Sequence, residues 1–438
     1  MNRRKRWVDW AACSALSRSR LYQVACSLAD QALSVGGMFM VNVALARTES
    51  KEEYGMFALS YSVFTFLAGL HNAAILEPYT VYGSGRYRLH SSAYFRWMAW
   101  SNVGVGLLLT GALLSLYVLL ERIAPGMASR SLLGLATTVS ILLWGVFQRR
   151  VFYVQRQAGL AAKTSLVFFV AVVCGLQLLT KAHMLNSFSA FLAVGLGWVA
   201  ASAGFARKLP FGKSPEAFLQ MEPGYWRLHW KYMRWVLATA FVFQLMNQGY
   251  YWLVAALVSV REVAELKAMA LLIAPADQVF IALNYLVLPQ LAAHSATGKM
   301  EDMLSTWKWY ALGIGALTSA FAVCVGVFGK AVAHLLYGGR YDDAAPLLVM
   351  LGLLPLVMGI GHTMNAALKS MEKPKLVFWA YVCSGSVTFL FGIPLIRYSG
   401  LRGAVYGMLL SGAAYTATLA LALGNTYYRT PVKMADPS

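Results

Sequence analysis

The sequence predicts an all-α integral membrane protein, with twelve transmembrane helices in two six-helix lobes around a central cavity. Three observations predict it. Apolar runs long enough to cross a bilayer recur about a dozen times between Leu21 and Tyr428, and a helix needs about 20 mostly apolar residues to cross the hydrocarbon. Of the 438 residues, 59% are hydrophobic and 13% charged, so little chain remains for soluble domains. One long polar interruption, 207–231, divides the runs into two sets of six.

The expected spans are 21–46, 54–83, 93–120, 131–155, 160–180 and 184–206, then 232–259, 264–292, 307–336, 344–369, 376–396 and 402–427. Residues 1–20 are basic and are followed by no cleavage site of small residues, so they read as a cytoplasmic arm rather than a removed signal peptide. The expected organisation is therefore an arm 1–20, a lobe 21–206, a linker 207–231, a second lobe 232–428 and a cytoplasmic tail 429–438. Pro210, Gly212, Pro215, Pro223 and Gly224 suit the linker. Pro78 in the second span, and Pro275 and Pro289 in the eighth, predict tilted or kinked helices.

Orientation follows from Lys and Arg, which concentrate in cytoplasmic loops. With the N-terminus inside, 26 of the 37 Lys and Arg residues fall on inner segments, which places both termini in the cytoplasm. The formal charge of +19 is spread over loop after loop, so it reads as topology and attraction to anionic membrane lipids, and no nucleic-acid partner is expected. The five cysteines are scattered and show no metal spacing; they read as packing residues. No metal and no cofactor is expected.

Features recur across the divide. Asn72 and Asn284 are 212 residues apart and Pro78 and Pro289 are 211 apart, and Val154-Gln155-Arg156 precedes Met371-Glu372-Lys373 by 217. Similar offsets favour a duplicated six-helix unit. Six helices return the chain to its starting side, so both copies share one orientation.

Ionisable groups inside a span are costly and face a cavity or a partner. Asp30, Glu77 and Asp277 qualify, with Asp277 the deepest. Two readings are open for each: a site for a coupling proton or sodium ion or for substrate hydroxyls, and a structural bond between helices. Asn247 and Asn284 in the second half, and Asn72 in the first, are polar companions with the same two readings. So are Asn42, His71, Gln244, Gln248, His362 and Asn365. Arg149 and Arg150 at the inner end of the fourth span, and Lys369 at that of the tenth, are candidates to meet a diphosphate headgroup. Cations at inner helix ends are also the default of topology. Aromatic clusters such as Tyr250-Tyr251-Trp252 read chiefly as interfacial anchors.

Several stretches resemble a known family. Ala29-Asp30-Gln31-Ala32-Leu33 through Leu45-Ala46-Arg47, then Glu53-Tyr54-Gly55-Met56-Phe57-Ala58-Leu59 to Glu77-Pro78, is similar to the opening helices of the polysaccharide-exporting members of the multidrug/oligosaccharidyl-lipid/polysaccharide (MOP) superfamily. Leu336-Tyr337-Gly338-Gly339-Arg340-Tyr341-Asp342-Asp343-Ala344-Ala345 resembles that family's outer loop before its tenth helix. Ala367-Leu368-Lys369-Ser370-Met371-Glu372-Lys373-Pro374-Lys375 and Tyr398-Ser399-Gly400-Leu401-Arg402-Gly403-Ala404 resemble its later turns. The resemblance implies translocation of a lipid-linked saccharide across the bacterial inner membrane, with other polysaccharide-assembly proteins as partners. These stretches also have local explanations: Gly338-Gly339 suits a tight turn, Asp342 or Asp343 a helix cap, and Pro374 a helix start. No arginine lies near the middle of a span, which departs from the basic cavities of lipid-diphosphate flippases.

Other functions are less well matched. Gly212-Lys213-Ser214 mimics the end of a phosphate loop, but Arg207 stands where that motif needs glycine. Gly195-Leu196-Gly197 lies in an apolar helix and reads as close packing. A membrane glycosyl ligase or polymerase needs a large outer loop and a catalytic constellation, and neither is present, so the chain does not read as an enzyme. An ion-coupled multidrug antiporter of the same superfamily is the nearer alternative, and a structural subunit of a synthase complex is a third.

Overall fold

The computed structural model describes residues 2–84, 87, 91–123, 125–211, 225–297 and 300–429; side chains are described from Tyr22 onward, with a few inside helices left out. Among the described residues the chain is helical throughout. The elements are α1 (Asn2–Thr48), α2 (Lys51–His71), α3 (Glu77–Ser84), α4 (Ser91–Ile123), α5 (Met127–Val154), α6 (Ala158–Lys181) and α7 (Ser187–Phe205). They continue as α8 (Tyr225–Leu257), α9 (Val260–Ala296), α10 (Met300–Tyr337), α11 (Leu347–Leu351), α12 (Leu354–Ser370), α13 (Pro374–Val387) and α14 (Ile393–Arg429).

Nine segments among the described residues are long and apolar enough to cross a membrane. One of them, Pro374–Thr426, contains two crossings, because the backbone turns at Gly400 (φ 57°, ψ −132°), a conformation that suits a residue without a Cβ. The helices α8 and α9, 33 and 37 residues long, supply two more, which makes twelve. Large apolar side chains such as Leu107, Leu108, Val327 and Leu335 stand on the outside, as they do when lipid rather than water is the solvent.

Prolines act differently at the two expected kinks. Between α2 and α3 the helix widens into a π-turn, Asn72–Leu76, just before Pro78, which lets the chain accommodate the ring without leaving the helix. By contrast α9 runs unbroken through Pro275 and Pro289. There neighbouring helices hold the axis despite the lost hydrogen bonds.

The chain forms two compact units, 1–238 and 239–438. The division falls inside α8, further along than the 207–231 segment, of which 212–224 lies outside the described residues. The cause is local packing. His229, in the second turn of α8, is buried against Tyr82, Trp97 and Tyr94, at ring distances of 5.1, 5.6 and 5.9 Å. Tyr232 donates to Glu77 Oε1 at 3.0 Å.

Each unit has its own aromatic core. In the first, Tyr94, Phe95, Phe147 and Phe152 are fully buried; in the second, Tyr381 and Tyr415 pack with Met246, Leu368 and Leu419. Glycines let α7 approach its neighbours. A Cβ on Gly195 would come within 2.7 Å of Thr138, and one on Gly197 within 2.8 Å of Val172, so the Gly195-Leu196-Gly197 stretch serves packing. The cysteines differ from expectation: Cys174, Cys324 and Cys383 are exposed on the outer, apolar faces of their helices, while Cys26 is half-buried.

One of the recurrences in the sequence, that of 154–156 with 371–373, corresponds to matched helix ends. After α5, Arg156 has φ 59° and the Gln157 N–H donates to Phe152 O at 2.8 Å. After α12, Glu372 has φ 58° and the Lys373 N–H donates to Leu368 O at 3.0 Å. Both are the same left-handed helix stop. Both second crossings also begin alike: Ser50 accepts from the Glu53 N–H at 3.1 Å and Ser259 from the Glu262 N–H at 3.2 Å.

Candidate functional site

The strongest polar constellation lies in the first unit, where α1, α5 and α6 meet around Asp30. Its side chain is fully buried. Arg149 donates through Nε to Oδ1 at 2.9 Å and through Nη2 to Oδ2 at 2.6 Å, a bidentate pair. Tyr153, one turn further along α5, donates its hydroxyl to Oδ2 at 2.6 Å, and Ser165 of α6 donates to Oδ1 at 2.5 Å. A charge taken out of water is tolerated only when paired and hydrogen-bonded, and four donors meet that need. Asp30 and Arg149 were separate candidates in the sequence, one for ions or substrate and the other for a headgroup. The fold makes them partners.

A second polar group lies at the π-turn. Arg150 donates through Nη2 to Asn72 Oδ1 at 3.2 Å. The adjacent His71, 2% exposed, is hydrogen-bonded through Nε2 to Asn102 Oδ1 of α4 at 2.5 Å, and its Nδ1 is buried without a partner among the described residues. Thus Arg149 and Arg150, neighbours in sequence, face different partners, on α1 and in the π-turn that follows α2. Glu77 is engaged by Tyr232.

The second unit is built differently. Asp277 projects from α9 with an exposed side chain, and no described residue hydrogen-bonds to it. Ten residues earlier, Lys267 lies over the Tyr251 ring at 5.3 Å. Asn247 donates to Phe243 O on its own helix at 3.0 Å, and the side chain of Asn284 is outside those described. In the interior, Asn365 donates through Nδ2 to Tyr415 at 2.8 Å and to Tyr381 at 3.1 Å, and the two rings stack at 5.0 Å. His362, one turn away on α12, packs against Phe280 and Tyr415. Tyr250 is buried rather than interfacial, with its hydroxyl 2.8 Å from Ser411 Oγ.

Lys369 falls on the same face of α12 as His362, two turns on. It lines a cavity of about 610 Å³ with Ser370 and Glu372 of its own segment and Leu288, Ala292 and Ser295 of α9. Among the described residues no group of three or more His, Cys, Asp or Glu side chains is placed to hold a metal ion.

Sequence reasoning missed Tyr153, Ser165 and Asn102, which complete the polar sites of the first unit. The spacing Arg149-x-x-x-Tyr153 places both on one helix face and was the available signal. It also missed Lys267, a cation inside the eighth helix.

No family model matches the chain, and no curated protein matches it. Solved structures do. A multidrug-resistance MATE-family transporter of the MOP superfamily, in its inward-facing conformation, aligns with a TM-score of 0.77 at 13% identity, over 91% of this chain and 96% of that one. The lipid II flippase MurJ, in an inward closed conformation, aligns with 0.71 at 13% identity over 92% and 87%. A MOP superfamily transporter from Pyrococcus furiosus aligns with 0.61 at 12% identity over 94% and 93%. At such identities the likeness is one of architecture, and it covers most of the chain: the chain has the fold of the MOP superfamily transporters.

Proposed function

We propose that this protein is a transporter that moves a lipid-linked saccharide across the bacterial inner membrane by alternating access. The observation that carries the transport reading is the contrast between two acids. Asp30 is sealed by four donors, whereas Asp277, well inside the eighth span, is exposed and hydrogen-bonded to no described residue. A carboxylate at such a position is sustained only where water or a ligand reaches it, so the Asp277 face of α9 lines a hydrated passage. The saccharide travels through that passage while the lipid tail stays in the bilayer, since unpaired hydroxyls in hydrocarbon cost several kcal/mol each.

The exporter-like stretches at Leu336–Ala345 and Ala367–Lys375, on a fold shared with a lipid II flippase, support a lipid-linked cargo. The cavity that Lys369 lines at the end of α12 supports a role for it in meeting an anionic headgroup. The Lys and Arg distribution supports cytoplasmic termini and a cytoplasmic 207–231 segment; labelling of a cysteine at position 213 from outside intact cells would overturn that topology.

Deleting the gene tests the function. The lipid-linked saccharide should still be made but be held on the cytoplasmic leaflet, shielded from periplasmic enzymes. Arrival at the normal rate on the outer leaflet, with no second flippase present, would refute the proposal. The fold shared with a MATE transporter favours one second reading, an ion-coupled multidrug antiporter; ion-driven drug efflux from vesicles, with no saccharide movement, would select it.

A further inference from the structure

The two halves begin their second crossing with the same Ser-x-x-Glu cap, yet the two glutamates end in different places. Glu53 reaches across to α7, where its Oε1 accepts the Ser187 N–H at 2.7 Å. Ser187 is the first residue of that helix, so the carboxylate clamps the start of the sixth crossing and satisfies one of its open amides. Glu262 stands in the corresponding place. Its Oε2 lies 3.8 Å from where a Cβ on Gly400 would be, and Gly400 is the left-handed residue at which the last crossing begins. Here no clamp has formed: Glu262 Oε2 is buried without a hydrogen-bond partner among the described residues.

A lone buried carboxylate oxygen beside the start of a crossing is costly, and the matching contact 209 residues earlier shows what satisfies such a group. We propose that Glu262 is a releasable clamp on the last helix, captured here in its released state, and that it closes by accepting the Leu401 or Arg402 N–H as Glu53 accepts that of Ser187. Glu53 would then be a permanent fastening and Glu262 a switching one, opening and closing one end of the last crossing during transport.

Local charge favours switching. Burial, and secondarily the neighbouring Glu265, push the Glu262 carboxyl upward from its ordinary value. Arg397 and Arg402 flank Gly400, and Arg340, Asp342 and Asp343 lie in the turn before α11, but none of them forms an ion pair with Glu262. A protonated Glu262 gains little from the helix start, whereas the ionised form gains a charge-assisted bond. Acid therefore holds the clamp open and rising pH closes it.

Amide hydrogen exchange of the full chain in lipid nanodiscs, as a pH series, tests this. The protection factor at Leu401 and Arg402 should rise about tenfold between acid and neutral pH, as a charge-assisted bond forms. It should stay flat in Glu262→Gln, while Ser187 remains protected throughout in both proteins. Protection at 401–402 that does not change with pH in the unsubstituted chain, or that rises equally in Glu262→Gln, overturns the proposal. The unsubstituted series decides it even if the variant fails to fold. None of these outcomes depends on which cargo is carried.

Discussion

The two units solve the problem of polar groups in a membrane in opposite ways. In the first, charge is concentrated and sealed: Asp30 meets Arg149, Tyr153 and Ser165 in one buried knot. In the second, the buried network is neutral, Asn365 with Tyr381 and Tyr415, and the acid Asp277 is left open. One unit thus holds its charge fixed, and the other carries an exposed one. The difference teaches that an acid in a span is no guide to function until its partners are known.

The largest effect should come from breaking the sealed knot. Arg149→Met leaves the Asp30 carboxylate buried with two hydroxyl donors alone, and should destabilise the first unit by about 3–5 kcal/mol. The double variant Asp30→Leu with Arg149→Met should recover most of that loss. Thermal unfolding in detergent checks both. Equal stability of Arg149→Met and the unsubstituted chain would mean the pair is not sealed.

Next in size is the neutral network. Tyr415→Phe removes the acceptor for Asn365 and should cost about 1–3 kcal/mol, because a buried amide loses a partner. Asp277→Asn should leave stability within about 0.5 kcal/mol, since no described side chain bonds to it, yet impair transport. Protein level in the membrane and transport are measured separately. Full transport by Asp277→Asn would remove the distinction between the two acids.

A smaller effect concerns pH. His229, caged by Tyr82, Tyr94 and Trp97 at the start of α8, has its pKa lowered from 6.5 to about 4 by burial. Its folded value lies below its unfolded one, so its contribution is complete above about 6.5 and is lost as pH falls toward 4. Acid should therefore loosen the first turns of α8, and His229→Phe should remove that sensitivity. Limited proteolysis near 225–232 across this pH range reads it directly. The smallest contrast is between the caps: Glu53→Gln should cost about 1 kcal/mol, while Glu262→Gln at acid pH costs next to nothing.

Much of this was legible in the sequence because the signals are local. Span lengths and the helix stops at Arg156 and Glu372 follow from hydrophobic runs and turn chemistry. The pairing of Asp30 with Arg149, 119 residues apart, was not legible, since nothing in either segment specifies the other. Tyr153 and Ser165 escaped because a tyrosine and a serine in apolar helices are ordinary packing residues until a carboxylate is placed among them. Asp277 stood out in the sequence as the deepest acid, but whether it was sealed like Asp30 or left open could only be read from its neighbours. The end of the first unit was missed because the aromatic contacts of His229 and Tyr232, not chain polarity, set it.

The central claim is that this scaffold moves a lipid-linked saccharide. Purified protein, reconstituted in vesicles with a fluorescent lipid-linked oligosaccharide on one leaflet, tests it most directly through a membrane-impermeant quencher added outside. The expected result is that the labelled lipid crosses faster than in protein-free vesicles, that Asp277→Asn slows it, and that Lys369→Gln weakens it. Crossing no faster than in protein-free vesicles, by protein that remains folded and under an imposed ion gradient, would contradict it.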